Sequence, residues 1–119
     1  MKNIIESKSY DSAKIIINAC RLLMEKKHEF VLSKQLLRSG TEIGALIREA
    51  EHAESKPDFL HKINIALKEA NETGYWLSLL KDTGYLSETE YSSISADCSE
   101  PIKLLASIVK TTRLNLGEK

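Results

Sequence analysis

The sequence predicts an all-α fold, an antiparallel up-down-up-down four-helix bundle, and three observations carry that expectation. Apolar residues recur at three- and four-residue steps in four separate segments. Gly and Pro number five and two in 119 residues, too few for the turns of a sandwich or barrel. No segment alternates apolar and polar residues for long enough to form a strand. An apolar share of 42% and a charged share of 29% fit one globular domain spanning residues 1–119, not a disordered or disulfide-stapled chain.

Helices are expected near 9–27, 30–53, 57–82 and 87–115. In the first, Ala13, Ile16, Cys20, Leu23 and Met24 share one face, while Ile15, Ile17, Ala19 and Leu22 widen the apolar surface beyond one stripe. A helix apolar around much of its circumference meets more than one partner, which points to a subunit interface. The second carries Leu32, Leu36, Ser39/Gly40, Ile43, Ile47 and Ala50 on one side. Gly40 and Gly44 lie four apart there, and each costs about 1 kcal/mol of helix propensity, which close approach of a neighbouring helix offsets.

Ser55, Pro57 and Asp58 make the start signal of the third helix, as cap, first-turn residue and dipole complement. Phe59, Ile63, Ala66, Ala70, Thr73, Leu77 and Leu80 then repeat at four and three, the period of long helices packed side by side. Gly84 is placed to stop it. Ser87 and Glu90 form a capping box at the head of the fourth, whose inner face reads Tyr91, Ile94, Cys98, Ile102, Leu105, Val109 and Thr112. Pro101 must kink this helix or split it, with Ser99 as cap of a second piece; the period resumes in phase, so a kinked continuous helix is expected.

Seventeen basic and seventeen acidic side chains leave no net charge, which removes the simplest argument for a nucleic-acid-binding domain. The start of the chain has no signal-peptide pattern, and apolar runs of three fall far short of the ~20 residues of a membrane span. Cys20 and Cys98 have no CxxC companion and read as small reduced side chains of a cytoplasmic protein. Glu49-x-x-His52 and Asp58-x-x-His61 have the spacing of di-metal bundles, but the fourth helix offers Lys110 and Arg113 at that level instead of acids. No nucleophile elbow or Gly-rich phosphate loop is present. The expectation is a protein without catalysis, metal or cofactor.

Two charged constellations stand out. Residues 1–27 hold six Lys and Arg against three Asp and Glu, and the basic groups of 83–119 all lie from Lys103 onward. Lys2, Lys8, Lys14, Lys110, Arg113 and Lys119 are thus candidates for a nucleic-acid patch where the first helix's start meets the fourth's end. On the third helix, Glu69 and Glu72 sit in a stripe with Ile65, Trp76 and Leu79 that needs cover. Arg38 and Arg48 are candidate partners for a partly buried network within or between subunits, with a desolvated Arg48 contact to the two acids the specific expectation.

Gln35-Leu36-Leu37-Arg38-Ser39-Gly40-Thr41-Glu42-Ile43-Gly44-Ala45-Leu46-Ile47-Arg48-Glu49-Ala50 resembles a signature of the four-helix family encoded within intervening sequences of 23S rRNA genes. Asp58-Phe59, Ile65 to Trp76 and Gly84-Tyr85-Leu86 resemble a second one. Leu46 and Glu42 depart from the first signature, where the family usually has Asn and commonly Ser. The resemblance implies a bacterial four-helix protomer in a homo-oligomer, a pentameric ring in relatives, often labelled ribosomal. A related group of strongly basic accessory proteins partners a reverse transcriptase and nucleic acid in retroelements. Two functions follow as expectations: an oligomeric module binding RNA or a nucleic-acid-handling protein, or a structural, protein-binding oligomer without nucleic-acid affinity.

Overall fold

A computed structural model describes residues 4–117, which form four helices and, among the described residues, no strand. They are α1 (Ile4–Lys27), α2 (Val31–Ala50), α3 (Lys56–Asp82) and α4 (Glu88–Asn115). Each helix touches the next, and α1 closes the circuit against α4, so α1 and α3 lie on one diagonal and α2 and α4 on the other.

α1 opens at Ile4 rather than near Ser9, because its buried face runs Ile5, Ser9, Ser12, Ile16, Ala19, Cys20 and Leu23. The four-three period is intact from Ile5 onward, but two of its early positions are serines that an apolar pattern passes over. His28 then takes a left-handed backbone (φ 54°), a conformation that costs a non-glycine residue about 1–2 kcal/mol, and turns the chain into α2.

No side chain of Phe30, the residue ahead of α2, caps that helix. Glu29 does so from one position earlier. Its carboxylate accepts from the backbone N–H groups of Val31, Leu32 and Ser33 at 3.2, 3.1 and 2.7 Å, and from Ser33 Oγ at 2.9 Å. Burial pushes the Glu29 carboxyl up, yet these hydrogen bonds outweigh it and hold the group below the usual carboxylate range. Nearby, burial above all, then the Glu29 charge, raises the Cys20 thiol to about 12, and its Sγ lies 3.3 Å from the Ser33 carbonyl. That thiol is an inert packing group.

The sequence signals at α3 and α4 are realised in detail. Ser55 accepts from Asp58 N at 3.2 Å at the head of α3. At its foot Gly84 has φ 87°, and Tyr85 N and Gly84 N reach back to the Leu80 and Lys81 carbonyls at 2.9 and 3.0 Å, a Schellman stop. Ser87 and Glu90 cap α4 reciprocally.

The core is two clusters with a waist between them. One joins Ile5, from early α1, to Ile43, Leu46 and Ile47 of late α2, Ile63 and Ala66 of early α3, and Leu105 and Val109 of late α4. The other joins Ile16, Cys20 and Leu23 to Leu36, Leu77, Leu80 and Leu86, with Tyr91 and Ile94 packed against it. The waist is built from small residues. Ser39 is fully buried there, and Thr73 Oγ1 lies 2.9 Å from both Ser39 Oγ and the Glu69 carbonyl. A cavity of about 110 Å³ remains, bordered by Ser9, Ser12, Gly40 and Cys98.

The two helical glycines of α2 differ. A Cβ at Gly40 would stand 2.7 Å from Ile16 Cγ2, whereas one at Gly44 would meet Ser9 at ordinary contact, 3.7 Å. Close helix approach therefore accounts for Gly40 alone. α4 runs unbroken through the buried Pro101, so Ser99 does not cap a second piece. Proline has no N–H to offer the carbonyl four residues earlier, that of Asp97. Ser12 Oγ of α1 donates to that carbonyl at 3.2 Å in its place.

Two stability outcomes follow, both read by chemical denaturation. Gly40→Ala overpacks against Ile16 and is expected to lose about 1–3 kcal/mol, whereas Gly44→Ala is expected to be neutral or to gain up to about 1 kcal/mol in helix propensity. Equal effects would remove the close-approach argument. Ser12→Ala leaves the Asp97 carbonyl without a donor and is expected to cost about 1–3 kcal/mol. In a Pro101→Ala background the restored N–H takes over, so the same change is expected to cost clearly less; additive losses would show that the hydroxyl does not serve the proline gap.

Candidate functional site

Arg38, on α2, is the hub of the polar network on the outer side of α2 and α3. Its Nη1 lies 3.2 Å from both carboxylate oxygens of Glu69, and its Nη2 pairs with Glu72. Trp76 Nε1 donates to the same Glu72 oxygen at 2.9 Å. The indole bond is the chief cause holding the Glu72 carboxyl below its usual range; partial burial opposes it and the Arg38 guanidinium adds to it. Tyr75 stacks edge-on to Trp76, with centroids 5.1 Å apart, and is 58% exposed.

Arg48 does not belong to this network, which corrects the expected contact with Glu69 and Glu72. The ten-residue step from Arg38 to Arg48 spans about 15 Å of helix, and only Arg38 lies level with the two acids. Arg48 Nη2 instead lies 3.9 Å from Glu6, and its guanidinium sits 5.8 Å from the Tyr10 ring centroid. Nor is the network desolvated: the side chains of Arg38, Glu69 and Glu72 are 45%, 19% and 36% exposed.

Beside Arg48 is a carboxyl pair that sequence reading missed. The Glu51 carboxyl is raised, first by its hydrogen bond with Glu6 and then by desolvation and the Glu6 charge, against the pull of His52 and Arg48. No linear pattern ties residue 6 to residue 51. Glu49 lies 3.4 Å from Lys62, and Asp58 accepts from Glu54 N, so the acids of the turn after α2, which carries His52, and of the first turns of α3, which carry His61, are engaged in polar surface contacts. Among the described residues no three His, Cys, Asp or Glu converge in a way that could hold a metal ion.

Two of the candidate basic residues are paired with acids. Lys8 reaches Glu100 at 3.9 Å and Lys14 pairs with Asp11 at 3.3 Å. Lys110 and Arg113 are exposed on the last turns of α4, and Lys2 and Lys119 lie outside the described residues. Both thiols are free; burial above all raises that of Cys98 to about 11. Among the described residues no helix is long and apolar enough to cross a membrane.

An apolar groove of about 520 Å³ runs between late α1 and early α4, lined by Ile15, Ala19, Leu22, Leu23, Leu86 and Ile94. It exists because α4 buries little: Tyr91, Ile94 and Cys98, expected on its inner face, are only half-buried.

Residues 1–107 match the family model described as 23S rRNA-intervening sequence protein. The chain belongs to that family. A solved structure of a protein with unknown function from the S23 ribosomal protein family of Bacteroides thetaiotaomicron VPI-5482 is 54% identical. It covers 90% of this chain and 99% of its own, with a TM-score of 0.88. No curated protein matches significantly. In this family member the signature stretch Gln35–Ala50 forms most of α2 and contributes Arg38 to the network and Gly40 to the waist. Leu46, where the resemblance leads one to expect a polar residue, is buried in the first core cluster and serves packing.

Because Arg38 and Glu72 are substantially exposed, their coupling is expected to be below about 1 kcal/mol. A double-mutant cycle of Arg38→Met with Glu72→Gln, read by denaturation, is expected to be non-additive by that amount, and Arg48→Met with Glu72→Gln strictly additive. Coupling in the second cycle alone would reverse the assignment.

Proposed function

We propose that this family member is a non-catalytic, homo-oligomeric protein-interaction module of the cytoplasm, its protomer an antiparallel up-down-up-down bundle. The carrying observation is apolar surface left uncovered on more than one side of a single chain. Leu22 is 56% exposed beside the α1/α4 groove, and Tyr75 is 58% exposed beside the Trp76 network on α3. Surface of this kind on both sides of a small protein supports association with further chains. The antiparallel order is supported by the two clusters, which join early α1 and α3 with late α2 and α4, and the reverse. Two free thiols are in keeping with a reducing compartment.

RNA binding is the second reading, favoured by the exposure of Lys110 and Arg113, which enter no ion pair among the described residues. The pairing of Lys8 and Lys14 with acids weighs against it.

Light scattering at micromolar concentration is expected to give a mass several times 13.4 kDa, and a 13.4-kDa particle would falsify the assembly. Titration of the oligomer with RNA at ~50 and ~200 mM salt separates the readings. Weak binding without a steep salt slope is expected. A fall of 10³-fold or more in affinity between the two salts, roughly what six or more phosphate contacts give, would establish the RNA reading instead.

A further inference from the structure

The cavity at the waist is a binding site within a single protomer, independent of how copies assemble. We propose that it takes one small, uncharged, apolar molecule, which enters between α3 and α4.

All four helices contribute to the wall. Ile16, Ile43, Leu77 and Ile102, one from each helix, supply its apolar lining. Between them the bordering residues are short, among them Gly40, Ala70 and Gly74, and no large side chain fills the space. Protein interiors leave few voids larger than a water molecule, so about 110 Å³ at the centre of so small a bundle is unusual.

Hydrogen bonding decides what enters. Six bordering side chains carry a hydroxyl or a thiol, and each is already engaged within the fold. Ser9 donates to the Glu6 carbonyl at 3.0 Å, Ser12 to that of Asp97 at 3.2 Å, and Ser99 to that of Ala96 at 2.8 Å. Thr73 is bonded to Ser39 and the Glu69 carbonyl, Ser95 to the Tyr91 phenol, and the Cys98 thiol to Ser12. Among the described residues no buried side-chain nitrogen or oxygen lacks a partner. A buried water needs two to four polar partners, about three on average, and here the donors are spent. No charged side chain borders the space, so an ion would enter unpaired. An apolar occupant alone leaves these bonds intact and gains contacts that the empty wall forgoes.

Size and access follow from the same residues. An apolar cavity of about 150 Å³ stays dry and takes benzene; by that proportion about 110 Å³ takes a molecule of about four heavy atoms. On the α1 and α2 sides the border is buried throughout, and its partly exposed members are Gly74 of α3 with Ser95, Cys98, Ser99 and Ile102 of α4. Gly74 lies one turn before Ser78, whose hydroxyl is 3.4 Å from Tyr91 of α4, so residue 74 faces α4. A Cβ there would meet nothing within 4 Å. The missing side chain leaves the doorway.

Xenon, a single apolar atom, is the probe, read by NMR on the isotope-labelled chain. With rising xenon pressure the amide signals of Gly40, Gly74 and Ser99 are expected to move along one saturating curve, while those of the turn between α2 and α3 stay in place. Cyclobutane is expected to displace the xenon. No shift, shifts that grow without saturation, or xenon that cyclobutane leaves in place would overturn the site. Gly74→Leu sets a side chain across the doorway and is expected to abolish the saturable shift at Gly40 and Ser99, with helical content and melting temperature checking the fold. If that variant does not fold, Gly74→Ala, which gains helix propensity and adds one carbon, is expected to slow xenon exchange. Unchanged binding and exchange in a folded variant overturn the route past residue 74. In a high-resolution crystal structure the cavity is expected to hold no ordered water, and waters bridging Ser9 and Ser12 would overturn the apolar assignment.

Discussion

Close approach of α1 to α2 at one point governs much of the packing. Ile16 can enter the core because residue 40 has no side chain; with a Cβ there the two helices would have to part. From that contact outward, α1 positions Ser12 against α4 and Cys20 against the head of α2. Small side chains are what make this distance accessible. Ser33, Ser39 and Thr73 are buried alongside, and their hydroxyls are satisfied by neighbouring groups, so closeness is gained without stranding polar atoms. Large apolar residues are accordingly displaced to the two clusters on either side of the waist.

How much of this could be read in advance divides along the range of the interactions. Caps and stops are local, and Ser55, Gly84 and the Ser87/Glu90 box could be named from spacing alone. The apolar period identified all four helical segments for the same reason. It failed at the start of α1, where Ser9 and Ser12 are buried through contacts with other parts of the fold and look like surface in a linear pattern. It also failed at Glu29, because no common cap pattern places a glutamate one residue ahead of the helix boundary and folds it back onto three amides.

The polar network marks the same boundary. Sequence could assemble its members, Arg38, Glu69, Glu72 and Trp76, since each lies at a helical repeat from an apolar neighbour. Choosing between Arg38 and Arg48 required the axial offset of α2 against α3, which one chain's pattern does not contain. The degree of exposure was equally hidden, and it decides the energetics: an open guanidinium with two carboxylates orients surfaces more than it stabilises them. Family membership adds a frame without adding a chemistry, because the solved relative is itself a protein with unknown function.

The serine-for-amide exchange at Pro101 has a consequence for how the helices can slide. In an uninterrupted helix every interior carbonyl is already engaged, so a neighbour can shift by one turn, about 5.4 Å, and find an equivalent surface. α4 carries one carbonyl unlike the others, and α1 carries the hydroxyl that answers it. A slip of one turn that brings Ile16 to the place of Ser12 would leave the Asp97 oxygen facing carbon. The proline thus acts as a notch and the serine as its key, fixing the longitudinal register of two helices whose shared apolar packing is otherwise sparse.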